Sequence, residues 1–192
     1  ETRRMALPGR PVPTGCLVES AYACIRLDWS TVGRFQYGRV RLDRSVQGQT
    51  APETPRLLSS QISQALGDTI AMTSGALPGT ANLPPMRILF IGGGSYTLPR
   101  WVEAVAPGSH LHVIEVDPEV TGVGVRWLGV SLSAPPSDRF PSGPGIAVVH
   151  GDELGAPHHP RLLDAVAGET EGERGAVDRH RHVAQQRGRL VE

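Results

Sequence analysis

Two short apolar runs, each stopped at its C-terminal end by a different kind of residue, constrain this chain more than any other feature. Arg87-Ile-Leu-Phe-Ile91 ends in Gly92-Gly93-Gly94, and His110-Leu-His-Val-Ile114 ends in Glu115-Val116-Asp117. An unbroken apolar run of this length suits a strand buried on both faces. Between the two, Leu98, Val102, Val105 and Ala106 share one side of a helix begun near Pro99, a position where proline's fixed φ and missing N–H are no handicap. Glu119 to Leu128 predicts a second helix, although Gly122 and Gly124 each weaken it by ~1 kcal/mol. Gly145-Ile-Ala-Val-Val-His150 is a third buried strand, closed by Gly151-Asp152. The order strand, glycine loop, helix, strand, acid, helix, strand, acid predicts an α/β fold: the first half of a Rossmann-like doubly wound parallel sheet over residues 86–154.

The same pattern predicts a nucleoside site. Glycines after a strand let the backbone turn sharply and approach a ligand with no Cβ in the way. The helix N-terminus behind them favours an electron-rich group. Glu115 ends the next strand, 23 residues after Gly92, and a carboxylate there can accept both hydroxyls of a ribose. Gly92, Gly93, Gly94, Ser95 and Glu115 are thus candidate binding residues. Asp117 joins them, because it alternates with Glu115 about Val116 and on an extended chain points the same way. Asp152 lies at the carboxyl edge of the third strand, where it could accept from an adenine amine or cap a helix.

The remainder of the chain is less regular. Residues 1–15 are basic and punctuated by proline and glycine, and read as an unstructured lead-in. Residues 16–50 predict a small antiparallel β unit: a strand within Cys16 to Leu27, a turn over Asp28 to Gly33, and a strand over Phe35 to Leu42. Residues 51–85 hold an amphipathic helix at Arg56 to Leu66, then a linker from Asp68 to Pro85. In residues 155–192 only Arg161 to Ala167 looks helical and no fourth buried strand follows. This stretch reads either as a disordered tail or as out-of-frame translation of a GC-rich gene. A parallel sheet that stops at three strands leaves an open edge, so the expectation is poor solubility or a homodimer.

The 19 basic and 19 acidic residues balance, which argues against nucleic acid or a polybasic membrane contact as the main partner. No stretch approaches the ~20 apolar residues that span a bilayer, and no signal peptide opens the chain. The expected location is therefore cytoplasmic, and a start at Glu1 rather than Met leaves open a longer parent protein with membrane segments upstream. Cys16 and Cys24 have neither zinc-site spacing nor a CxxC arrangement and read as two reduced thiols. His110 and His112 flank a strand, while His180 and His182 alternate with arginines that would repel a cation. No metal is expected.

At the level of motifs, Arg87-Ile-Leu-Phe-Ile-Gly-Gly-Gly-Ser-Tyr-Thr-Leu-Pro-Arg100 and Val113-Ile-Glu-Val-Asp-Pro-Glu-Val-Thr121 resemble the cofactor motifs of the spermidine synthases. These are polyamine aminopropyltransferases within the S-adenosylmethionine-dependent methyltransferase fold, and the nearest resemblance is to a bacterial branch often fused to membrane-transporter-like segments. Glu19-Ser-Ala-Tyr-Ala-Cys-Ile-Arg26 is similar to the strand opening that family's N-terminal β domain. Leu42-Asp-Arg-Ser-Val-Gln47 resembles its next strand, and Val148-Val-His-Gly-Asp152 its adenine-side motif. The resemblance implies that Gly92 to Gly94 pass the methionine-derived part of the donor and that Glu115 holds the ribose. Asp152 would contact adenine, and Gln47 would close the donor pocket. It further implies S-adenosylmethionine or its decarboxylated form as donor, a polyamine as acceptor, and methylthioadenosine as a product.

The chain also departs from that family. The glycine loop there continues into an aspartate that grips the donor's amine, whereas Ser95 and Tyr96 follow here, and a neutral hydroxyl cannot replace a carboxylate opposite an ammonium. The family's acceptor-binding Tyr-His segment has no counterpart in Gly48 to Gln64, and its catalytic aspartate has none after Asp152, so no catalytic residue is nominated. Methyl transfer and a non-catalytic nucleoside-binding remnant stay open as alternatives. An NAD-binding module ranks last, since Gly92-Gly-Gly-Ser-Tyr-Thr lacks the spaced GxGxxG.

Overall fold

The computed structural model describes residues 15–135 and 143–151. The predicted lead-in up to residue 14, the tail and Asp152 lie outside the described residues.

Four strands, β1 (Val18–Glu19), β2 (Cys24–Val32), β3 (Phe35–Leu42) and β4 (Ser45–Thr50), form an antiparallel sheet in that order. Strand side chains alternate between faces. Accordingly Ile25, Leu27, Trp29 and Val40 are buried on one face, while Arg26, Asp28 and Arg39 are exposed on the other. The expected turn over Asp28 to Gly33 is corrected: β2 runs through to Val32, and only Gly33 and Arg34 separate it from Phe35. Trp29 carries the strand through this polar stretch. It is buried opposite Gly38, where a Cβ would come within 3.1 Å of its ring.

The two cysteines also depart from expectation, because Cys16 and Cys24 form a disulfide. β1 pairs with β2 so that Glu19 faces Cys24, and Leu17 donates its N–H to the Ile25 carbonyl at 2.7 Å. This hairpin brings the two Cα atoms to 5.4 Å, within bridging range. Reduced thiols therefore no longer support the cytoplasmic expectation. Among the described residues no helix is long and apolar enough to cross a membrane.

Helix α1 (Gln61–Thr73) starts five residues later and ends seven later than the sequence predicts. Ser60 sets its start by accepting the Ser63 N–H at 3.0 Å, as an N-cap does. Arg56 is not helical, and its guanidinium donates to the Ala81 carbonyl at 2.6 Å. Gly67 does not end the helix; it makes room, since a Cβ there would lie 2.6 Å from Leu58.

The second sheet is parallel, in the order β5 (Arg87–Ile91), β6 (His110–Glu115), β7 (Gly145–His150). Helices α2 (Thr97–Val105) and α3 (Pro118–Trp127) provide the connections after β5 and β6. This is the expected Rossmann-like arrangement, preceded by the antiparallel sheet. β7 is buried from Ile146 to Val149, as predicted for a strand covered on both faces. β5 is not: it is the edge strand among the described residues, and Ile91 is 86% exposed. The two sheets share one core, in which Ile25, Leu27, Trp29 and Val40 join Tyr96, Val102, Leu111 and Ile146.

Candidate functional site

The chain leaves β5 through a loop whose conformation glycine makes accessible. Gly92 and Gly94 stand at φ 88° and 54°, in the left-handed region that a Cβ disfavours. A Cβ at Gly92 would meet open space, so bare backbone faces outward there. Tyr96 also takes a left-handed φ of 54°, and its side chain is fully buried. The ring lies directly behind Gly93 and within 3.0 Å of where a Gly124 Cβ would stand. Its hydroxyl is 2.8 Å from Thr121 Oγ1, which in turn is 3.2 Å from His150 Nε2. Burial pushes the phenol well above its ordinary pKa, so Tyr96 stays protonated.

Glu115 sits under this loop at the end of β6. Its Oε2 accepts the Gly93 N–H at 2.6 Å and its Oε1 accepts the Asp117 N–H at 3.0 Å. A carboxylate has about four acceptor sites, so a share of its capacity remains for a ligand, presented along a narrow edge because Glu115 is 6% exposed. Asp117 is committed elsewhere. It is 1% exposed, its Oδ1 accepts the Glu119 N–H at 3.0 Å as the cap of α3, and its Oδ2 accepts the Ser20 hydroxyl at 2.6 Å. Asp117 stands in extended backbone just before α3 begins at Pro118, and its carboxylate is taken up by that helix start and by Ser20.

Ser95 is likewise turned away from solvent. Thr97 Oγ1 donates to the Gln49 carbonyl at 2.9 Å, which leaves the Ser95 hydroxyl to donate to Thr97 at 2.7 Å. The backbone of β4 lies against this pair: Gly48 has no room for a Cβ because Ser95 Oγ occupies the space, and a Gly94 Cβ would be 3.3 Å from the Gln47 carbonyl oxygen. Arg100 on α2 fixes the far end of β4, donating to Thr50 Oγ1 at 3.0 Å and to the Pro52 carbonyl at 2.6 Å.

A cleft of about 240 Å³ opens between β4, α1 and the glycine loop. Gln47, Gly92, Gly93 and Ser95 border it, together with the apolar side chains of Ile62, Leu66, Phe90, Ile91 and Leu98. The structure therefore gathers Gln47 and the glycine loop at one cleft, with Glu115 bonded to that loop from behind. It leaves Asp117 as a cap. Sequence reasoning does not reach Ser20, which bonds Asp117, nor Tyr96, Thr121 and His150, which bond one another behind the loop, nor Thr97, which bonds Ser95; the one sequence hint is a bulky tyrosine two residues after the glycines. Among the described residues no three His, Cys, Asp or Glu side chains are grouped as a metal site requires. The donor implied by the resemblance fits what is present: an open backbone face at Gly92 and a carboxylate at the end of β6.

No family model matches the chain. A curated relative, the eEF1A lysine and N-terminal methyltransferase of Bos taurus, is 27% identical over 79 residues. That match spans 41% of this chain and 11% of the relative. Among solved structures, a protein described as a probable spermidine synthase from Corynebacterium glutamicum ATCC 13032 superimposes with a TM-score of 0.55 at 18% identity. It covers 75% of this chain and 46% of its own. The chain shares the Rossmann-like fold of that structure, with an antiparallel sheet ahead of the parallel one.

Proposed function

We propose that this chain binds an S-adenosyl donor at the glycine loop and serves group transfer from the donor's sulfonium. The observation that carries the reading is Glu115: a carboxylate at the carboxyl end of β6, hydrogen-bonded to Gly93 of the loop, where a ribose would be held. The donor supplies an electrophilic carbon next to a positively charged sulfur. The chain's own residues hold the sugar at Glu115, pass the methionine-derived part along Gly92 to Gly94, and keep water from it with Ile62, Leu66 and Leu98.

Two transfers fit this donor. In aminopropyl transfer a polyamine nitrogen attacks the aminopropyl carbon, the carbon–sulfur bond breaks toward sulfur, and the nitrogen loses a proton. The antiparallel sheet leaning on the loop supports it, since the solved structure described as a probable spermidine synthase matches across 75% of the chain. Methyl transfer is the second reading, and the commitment of Ser95 to Thr97 supports it, because no carboxylate stands at that position to favour the decarboxylated donor's amine.

Calorimetric titration with S-adenosylmethionine, its decarboxylated form, methylthioadenosine and NAD tests the proposal. Binding of the adenosyl compounds, weakened on the order of tenfold by Glu115→Gln, is the expected result. Binding of NAD alone, or adenosyl affinity unchanged by Glu115→Gln, rejects it.

A further inference from the structure

The hydrogen bond between Ser20 and Asp117 joins the two sheets at the proposed donor site. Ser20 lies in the hairpin between Cys16 and Cys24, where its Oγ accepts the Tyr22 and Ala23 N–H groups at 3.1 and 3.0 Å. It gives its own proton to Asp117 Oδ2 at 2.6 Å. Asp117 passes the constraint on, since its N–H is bonded to Glu115 Oε1 and Glu115 Oε2 holds the Gly93 N–H. A continuous path thus runs from the hairpin through Ser20, Asp117 and Glu115 to the glycine loop.

β1 has only two residues, Val18 and Glu19, paired with Ile25 and Cys24 at the edge of the four-stranded sheet. The Leu17 N–H to the Ile25 carbonyl and the Ser20 N–H to the Ala23 carbonyl add two bonds across the hairpin, and the disulfide is its covalent closure. Cys16 is exposed and Cys24 half-buried, which leaves the bond open to attack by a thiolate.

We propose that Ser20 is a positioning residue for Glu115, held in place by the Cys16–Cys24 disulfide, so that a dithiol reductant loosens the donor site. The inference rests on the donor reading given above. Reduction is balanced: one reductant thiolate attacks a disulfide sulfur and the other cysteine leaves as a thiolate. The reductant's second thiol then resolves the mixed disulfide, giving two protein thiols and an oxidised dithiol. Without the covalent closure the Ser20 turn samples positions that no longer meet Asp117, and the Glu115 carboxylate loses the neighbour that fixes its Asp117 contact.

The test compares the full chain, oxidised and treated with dithiothreitol, by calorimetry with methylthioadenosine and by amide hydrogen exchange. Affinity is expected to fall on the order of tenfold on reduction. Ser20→Ala should bind weakly in both states, and Ser20→Thr, which keeps the hydroxyl, should restore both the affinity and the response to reductant. The Gly93 and Asp117 amides should lose protection on reduction while those of β7 keep theirs, a pattern that general destabilisation does not produce. Equal protection at Gly93 and Asp117 in the two states, or a Ser20→Ala variant as tight and as redox-sensitive as the wild type, overturns the proposal. If the oxidised protein binds no adenosine compound, the donor reading fails by itself, and the exchange at Gly93 and Asp117 still decides whether the hairpin positions Glu115.

Discussion

The ring of Tyr96 occupies the space that a side chain on Gly93 would need: a Cβ built there lies 2.5 Å from the ring. Tyr96 cannot retreat, because it is fully buried and Gly124 stands on its other side. Gly93 is therefore a packing requirement as well as a place for close approach of a ligand. Gly93→Ala is expected to destabilise the fold by about 2 kcal/mol, the scale of an overpacked core. Tyr96→Phe removes only the hydroxyl bond to Thr121 and should cost about 1 kcal/mol. Urea denaturation of the two variants checks the order, and a Gly93→Ala variant as stable as the wild type contradicts the packing account.

Ser95→Asp makes a sharper point about donor choice. In the resembled family an aspartate follows the glycines, yet here the side chain at 95 is 4% exposed and lies between Thr97 and the backbone of β4 at Gly48. An aspartate would bury a charge with too little room against Gly48 and Thr97. The expected outcome is a loss of about 2 kcal/mol or more in stability, with no gain in preference for the decarboxylated donor. Competition binding between the two donors reads the second part, and a gain in preference would show that the loop can reopen.

How much of this was legible beforehand depends on the range of the interaction concerned. β6 and β7 follow from short, largely apolar stretches, and Glu115 from its place at the end of one of them. α1 was misplaced because the residues it buries are Gly67 and Ala71, which give no amphipathic signal, and because its start is set by the Ser60 cap. The exposure of β5 depends on what stands beside it, which its own sequence does not contain. The role of Asp117 was hidden for the plainest reason: its partner Ser20 is 97 residues away. The Cys16–Cys24 bridge depends on the two-residue strand β1, too short to announce itself by alternation.

A pH effect is expected from Glu103 on α2. Burial raises its carboxyl above the usual range, and the nearby Arg100 offsets part of that rise. With the folded pKa above the unfolded one, the native state holds the proton more tightly. Stability from this group is therefore present below the usual glutamate range and is lost as pH rises through the folded value. Glu103→Gln removes that loss. The variant should melt higher than the wild type at neutral pH and converge with it in acid, as thermal unfolding across a pH series would record. A constant difference at all pH values would assign the effect to packing instead.

Arg100 offers the test of how the two sheets are held in register. The residue is 4% exposed, and its guanidinium donates to Gly129, Thr50 and Pro52 at 3.1, 3.0 and 2.6 Å. One side chain on α2 thus ties the end of β4 to the turn after α3, although burial lowers its pKa. The carbonyls it satisfies have lost water on folding, so removing their donor leaves them unpaired rather than resolvated. Arg100→Met should cost about 3 kcal/mol in urea denaturation. Arg100→Lys should recover little of it, because a point ammonium cannot fork to three separated acceptors. If Arg100→Met cost less than about 1 kcal/mol, as for an exposed pair, water would be reaching those carbonyls and β4 would need another anchor over the glycine loop.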